Sequence, residues 1–218
     1  AQTAQLRVID QAENEAPPAE ESSAHGAKLY TGRHPAIDEN TCPDRRCGSS
    51  AAFRTTRTPL TSMATTIGLI SDTHGLVRLA ALEAFRGVST ILHAGDVGGD
   101  DVLVELSTLG PVHAVRGNVD PVGHPRLPRV YRHVAEGLSI VVVHGHEHAP
   151  VTPAKLAAAF RADAIVFGHT HRAVVERVGG TLVVNPGSAG PRRFDLGPSV
   201  AVLSIDAGRM AVEIVPIE

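Results

Sequence analysis

The chain has 218 residues, enough for one or two domains, and 43% of them are apolar, enough for a substantial core. Its 20 Lys and Arg against 23 Asp and Glu leave a net charge of −3, so no basic field marks a nucleic-acid surface. No apolar run reaches membrane-span length, and no basic-then-apolar segment opens the chain, which makes cytoplasm the expected compartment.

Residues 1–62 differ in kind from the rest of the chain. Ala16–Ser23 combines paired Pro, Glu and Ser with no apolar period, a disordered composition. Both cysteines, Cys42 and Cys47, lie here; a C-x4-C pair with no second pair reads as incidental thiols rather than a zinc site or disulfide. The folded protein is expected to begin at about Met63. Residues 1–62 are then a disordered or non-native leader, with a regulatory tail as the rival reading, and 63–218 form the functional domain.

From Met63 the pattern is regular. Thr66–Ser71 reads as a strand, Leu76–Phe85 has helical spacing, Thr90–His93 is a short apolar strand, Asp100–Leu109 is helical, and Val112–Val115 is a third strand. This β-α-β-α-β order favours a parallel sheet with helices on its faces. A Pro-rich loop (Pro121, Pro125, Pro128) comes next. Strands over Val130–Ala135 and Leu138–His144 flank the hairpin signal Glu136-Gly137. Pro153–Phe160 is a short Ala-rich helix and Ala164–Phe167 a buried strand. Two further hairpins are predicted, Ala173–Arg177 with Thr181–Val184 and Val200–Ile205 with Met210–Val215. The second half is expected to be mostly antiparallel. The fold class is α/β, two packed mixed sheets flanked by helices (αββα), with ligand sites beyond the carboxyl ends of the strands.

Each parallel-type strand ends in residues able to bind a metal. They are Asp72 and His74, then His93 and Asp96, then Asn118 and Asp120, then His144 and His146, then His169 and His171. Most stand next to glycine, which lets the backbone turn sharply and come close to an ion. In an extended segment residues i and i+2 point to one side, so Asp72 and His74 can converge. A lone loop His is usually no ligand; five strand ends of this composition are a different matter. Imidazole with carboxylate suits Mn, Fe, Ni or Zn better than Mg or Ca.

These residues, Asp72-x-His74, Gly95-Asp96, Gly117-Asn118, His144-Gly145-His146 and Gly168-His169-Thr170-His171, stand in the order and spacing of the calcineurin-like metallophosphoesterases. The compact size, the Gly-Asn-x-Asp form and Asn185-Pro186-Gly187-Ser188 resemble the small bacterial and archaeal phosphodiesterase branch. The resemblance covers about Thr65 to the end of the chain. It implies two divalent ions, with Mn2+ expected and Ni, Co, Fe or Zn also suited. Asp72, His74 and His171 would hold one, Asn118, His144 and His169 the other, and Asp96 would bridge them. It implies hydrolysis of a small phosphate ester, a diester above all, by a metal-bridging hydroxide.

One position departs from the wider superfamily. Many members carry His after the Gly-Asn pair, thought to protonate or stabilise the leaving group; this chain has Val119, which cannot donate a proton. Asp120 then takes a hydrogen-bonding or turn-capping role, and His146 or His148 becomes a candidate proton donor, His146 entering the catalytic set beside Asp96 and Asn118. Arg116, Arg192 and Arg193 are candidate phosphate contacts. Asn185–Ser188 reads as a turn that supports the 168–171 loop. The alternatives are a phosphomonoesterase or nucleotidase with the same metals, and a non-catalytic interaction scaffold of the same fold. No membrane or specific nucleic acid is expected as partner, and exposed hairpin edges leave room for a homodimer.

Overall fold

The computed structural model describes residues 7–8, 64–192 and 196–218. Two β-sheets face each other. Strand β1 (Arg7–Val8) stands at the edge of the first, paired antiparallel with β11 (Arg209–Pro216). The sheet continues through β10 (Ser199–Asp206), β2 (Thr65–Ile70), β3 (Thr90–His93) and β4 (Val112–Ala114). The second sheet has the order β5 (Val130–Ala135), β6 (Leu138–Val143), β7 (Ala164–Val166), β9 (Thr181–Asn185) and β8 (Val174–Val178). The reading of 1–62 as a leader lies outside the described residues, apart from the two residues of β1.

Both sheets are mixed, as expected. β2, β3 and β4 run parallel, and so do β6, β7 and β9; the three predicted hairpins, β5–β6, β8–β9 and β10–β11, are antiparallel. The second half is therefore less antiparallel than expected, and it is divided. Strands β5 to β9 build the second sheet, while β10 returns to pair with β2 in the first. Two turns show why their sequences were legible. Glu136 and Gly137 have φ of 50° and 78°, and Ala207 and Gly208 have 48° and 77°, the paired positive angles of a tight hairpin.

The core is layered. Ile67, Leu69, Leu92, Val142, Val166 and Leu203 fill the space between the sheets. The opposite face of the first sheet packs on α1 (Leu79–Ala84) and α2 (Asp100–Ser107), through Ile70, Ala81, Phe85, Ile91 and Leu106. The outer face of the second packs on α3 (Pro153–Ala159) through Leu156, Val141 and Ile165. Phe85 is fully buried, and a Cβ on Gly68 of β2 would come within 2.8 Å of its ring, so the glycine makes room for it. Burying such a ring contributes roughly 2–3 kcal/mol. α2 carries Asp100 and Asp101 in its first turn, where carboxylates favour the positive end of the helix dipole. α3 opens with Thr152 accepting the Lys155 N–H and Pro153 in its first turn.

α1 is shorter than the helix predicted from Leu76. Residues 72–78 are drawn into the loop after β2, where Leu76 N–H closes a turn on Thr73 and Leu79 is left 69% exposed. The apolar period continues into a segment that serves the site instead of the helix. Among the described residues no helix is long and apolar enough to cross a membrane.

Candidate metal centre

The loops that follow β2, β3, β4, β6 and β7 converge beyond one end of the two sheets. They bring together the seven residues predicted as ligands. Asp72 Oδ1 is 3.3 Å from His171 Nε2. Asp96 Oδ2 is 3.4 Å from His144 Nε2 and 3.9 Å from His74 Nε2. Asn118 Oδ1 lies 3.1 Å from His144 Nε2 and 3.0 Å from His169 Nδ1. Donor atoms of Asp72, His74 and His171 fall within 4.8 Å of one another, and so do those of Asp72, Asp96 and His144. Both carboxylates thus reach both halves of the cluster.

The backbone is bent to make this meeting. Among the described residues seven non-glycine positions have positive φ, and five are predicted ligands: Asp72, His74, Asp96, His169 and His171. The other two, Glu136 and Ala207, are the hairpin turns. Left-handed angles cost a side-chain-bearing residue about 1–3 kcal/mol and persist only where the surroundings over-determine them. Glycines press against the donors. A Cβ on Gly117 would overlap Asp96 Oδ1, one on Gly168 would overlap Ser71 Oγ, and one on Gly95 would come 2.8 Å from His144 Nδ1.

Several contacts fix which atoms face inward. His144 Nδ1–H donates to the Ala94 carbonyl at 2.8 Å, which leaves Nε2 as the atom turned to Asp96 and Asn118. Ser71 Oγ donates to Asp72 Oδ2, and the His169 N–H reaches the same carboxylate at 3.2 Å. The Val119 N–H donates to Asp96 Oδ1 at 3.0 Å. Two carboxylates, four imidazoles and an amide oxygen in one partly buried cluster suit a first-row transition metal or zinc. On donor chemistry and tautomer alike, the residues fit a metal centre.

The electrostatics agree. Burial pushes the Asp72 carboxyl up to about 6, against the opposing pull of His144 and the Ser71 hydroxyl. Asp96 goes the other way: burial alone would raise it, but hydrogen bonds from His144 and the Val119 N–H and the nearby imidazoles hold it well below the usual carboxylate range. His144 is raised although burial opposes this, because Asp96 and Asp72 favour its charged form. Burial, with the charge of His144, lowers His169 and His146.

The other candidates stand around this cluster at varying reach. The His146 ring is 5.2 Å from that of His144 and 6.2 Å from that of His169, and its Nε2 is 3.8 Å from Glu147 Oε1. His148 instead packs edge-on against Phe160, away from the cluster. Arg116 has a largely buried side chain, 3.7 Å from Glu147 Oε1; Glu147 also holds Arg129 at 2.7 Å. Arg192 is exposed and 3.9 Å from Glu218, in a small recess that His171 also lines. Arg193 lies outside the described residues.

Residues behind the cluster hold it in shape, in ways their sequence signals only hinted at. His93 sits at a strand end but outside the cluster. Its Nδ1 accepts the Gly95 N–H at 3.2 Å and its Nε2 meets Thr73 Oγ1 at 2.9 Å, while Thr73 donates to the Val97 carbonyl at 2.9 Å. Burial pushes His93 down to about 4, so it is a neutral strut between the first two loops. Asp120 has the modest role expected of it: its carboxylate accepts N–H groups from Gly117 at 2.8 Å, Gly98 at 3.0 Å and Val97 at 3.2 Å. Asn185 supports the 168–171 loop as expected, donating to the Gly168 carbonyl at 2.9 Å and to Thr170 Oγ1 at 3.0 Å. Ser188 donates to the Asp72 carbonyl at 3.0 Å.

Comparison with known proteins gives the arrangement its place. Residues 65–208 match the calcineurin-like phosphoesterase superfamily domain. A probable metallophosphoesterase of Methanothermobacter thermautotrophicus is 37% identical over 158 residues, covering 68% of this chain and 91% of that protein. A phosphodiesterase of Methanocaldococcus jannaschii is 30% identical over 139 residues, covering 56% of this chain and 82% of that one. Among solved structures, wild-type Vps29 of Entamoeba histolytica complexed with zinc has a TM-score of 0.58 at 25% identity, covering 71% of this chain and all of that one. With two mixed sheets, flanking helices and a candidate metal cluster beyond the strand ends, the chain belongs to the calcineurin-like phosphoesterases, a family of metal-dependent hydrolases.

Proposed function

We propose that the protein hydrolyses a phosphodiester at a pair of divalent cations, with Mn2+ as the expected metal. The observation that carries this reading is the convergence of Asp72, His74, Asp96, Asn118, His144, His169 and His171 in one cluster. Asp72, His74 and His171 would hold one cation, Asn118, His144 and His169 the other, and Asp96 both. Held by these residues, divalent cations would supply Lewis acidity to phosphate oxygens and would lower the pKa of a bound water. Retention of all seven donors favours catalysis over a purely scaffolding role.

The protein's own groups do the remaining work. Asp96, deprotonated across the neutral range, offsets the repulsion of two cations. Arg116, beside Asn118, offers a guanidinium to a phosphate oxygen, held in place by Glu147. Arg192, beside His171 at the rim, and Arg193 extend that role. His146, whose ring lies 5.2 Å from that of His144 and 6.2 Å from that of His169, is the candidate to protonate a departing alcohol. Without a proton donor at Val119, esters with good leaving groups should be favoured, so aryl esters turn over faster than alkyl esters. The diester preference draws support from the phosphodiesterase relative.

The test is a screen of diesters and monoesters with Mn, Ni, Co, Mg and Zn, with Asp96→Asn as control. Metal-stimulated diester hydrolysis that Asp96→Asn abolishes is expected. Faster hydrolysis of monoesters would move the reading to a phosphomonoesterase or nucleotidase; no bound metal and no hydrolysis would favour the scaffold.

A further inference from the structure

Each sheet ends in an edge strand on the same side of the sandwich, β4 in the first and β5 in the second. These two strands meet across the sheets through rings. His113 stacks on Tyr131 with centroids 4.5 Å apart and planes 12° from parallel. His133 lies 5.9 Å from His113 and 6.3 Å from Tyr131. Strand register puts all three on the core side. His113 is paired with Leu92, Tyr131 with Val142 and His133 with Ile140, and those three partners belong to the apolar layer between the sheets. Toward the opposite side, β11 and β8 contribute Ile214 and Val175 to the same layer. One side of the sandwich is thus closed by aliphatic groups, the other by two imidazoles and a phenol.

The two imidazoles are half-buried and face no counter-charge. Burial lowers His113 and His133 from their ordinary value, and the charge of His113 lowers His133 further. β4 and β6 carry no other titratable residue, and β3 carries only His93, which braces Thr73 and Gly95 instead. Arg132 alternates to the exposed face of β5, and Glu136 at its end accepts the Thr65 hydroxyl at 2.7 Å. In the segment that joins β4 to β5, the charged groups are engaged elsewhere. Arg116 and Arg129 stand on Glu147, His124 and Arg126 on Asp100, and Asp120 on three backbone N–H groups. Neutral rings pack at this seam; two imidazolium rings would be like charges 5.9 Å apart in a partly dry place.

The joining segment gives the seam its reach. Residues 115–129 leave β4 and return to β5, and they carry Asn118, one of the clustered donors. The Arg116 N–H donates to the Pro128 carbonyl at 2.9 Å, closing the neck of the loop. The ring stack fastens the two strands on which that neck stands. We propose that His113, Tyr131 and His133 form an acid-sensitive latch: protons on the two imidazoles part β4 from β5 and loosen the loop that presents Asn118. Because both imidazoles are lowered in the folded state, the closed seam is most stable above their ordinary 6.5, and that stability is lost as pH falls below it.

The test is hydrogen exchange read by mass spectrometry, on the full chain with Mn2+ added, at pH 7.5 and 5.5. Protection is corrected for the intrinsic effect of pH on exchange. Peptides over 112–114 and 130–135 should lose protection at pH 5.5 by at least about threefold, with a ceiling of about tenfold for each imidazole one unit below its ordinary value. Peptides over β9 should keep theirs. In His113→Phe/His133→Phe, which keeps the rings and removes the protons, the loss should disappear. His133→Gln alone should reduce it, and serves if the double variant does not fold. Unchanged protection at pH 5.5, a loss confined to 115–129, as release of the metal would give, or a loss that survives undiminished in these variants would overturn the inference.

Discussion

Gly117 stands so close to Asp96 that a single methyl group on its Cα would occupy the space of Asp96 Oδ1. The loop after β4 and the loop after β3 are packed backbone against carboxylate, with no side chain between them. Gly117→Ala must therefore displace Asp96. The expected result is a loss of stability of about 1–3 kcal/mol, the usual range for overpacking, together with loss of bound metal. Urea unfolding and metal content of the purified variant check both; a variant with wild-type metal content would contradict the placement of Asp96.

Asp120 ties the same two loops from behind. Replacing it with Ala leaves three inward N–H groups, those of Val97, Gly98 and Gly117, without their acceptor. A loss of roughly 3 kcal/mol is expected, since buried unsatisfied donors cost about 1–3 kcal/mol each and do not add fully. Asp120→Asn, which retains one acceptor oxygen, should lose about half as much. Equal stability of the two variants by denaturant titration would refute the assignment.

Asn185 is a positioning residue for the 168–171 loop, which carries His169 and His171. Asn185→Ala removes its bonds to the Gly168 carbonyl and Thr170. Metal affinity should fall roughly 10- to 100-fold, as for other groups that orient ligands from behind, with little change in secondary structure. Competition titration against a metal chelator reads this directly.

Asp72 sets a dependence on pH. Its carboxyl titrates at about 6 in the metal-free fold against an ordinary 3.8. Between these values the folded state holds a proton that the unfolded state does not, so stability from this group is present at low pH and is lost as pH rises through about 6. At pH 8 the buried carboxylate then costs up to about 3 kcal/mol. Asp72→Asn should therefore stabilise the metal-free protein at pH 8 while abolishing its stabilisation by Mn2+. In the wild type, metal affinity should weaken as pH falls below about 6, because the proton competes with the ion. Thermal unfolding with and without Mn2+ at pH 5 and 8 tests all three expectations.

Much of this site was legible in the residues alone. Asp, Asn and His beside Gly at five strand ends are a local signal, because the chemistry of a ligand and the tight turn that presents it are written in adjacent residues. Hairpins such as Glu136-Gly137 were legible for the same reason: the turn demands positive φ, and few residues supply it. The strands themselves were readable as apolar runs, although their ends slipped by a residue or two. The helix expected from Leu76 lost its first residues because tertiary contacts of the 72–75 loop outweigh a local apolar period.

Tertiary structure decided what depends on residues far apart in the chain. No local pattern could say that β10 crosses back to pair with β2, since sheet membership depends on which apolar faces meet. His93 and His144 look alike in sequence, each closing an apolar strand before Gly or Ala. One is pushed down to about 4 and braces two loops, while the other turns Nε2 toward Asp96. The sequence determined which residue types stand at the strand ends; only the packing of five loops determined which of them face a common centre, because burial and hydrogen-bond partners are properties of the assembled fold.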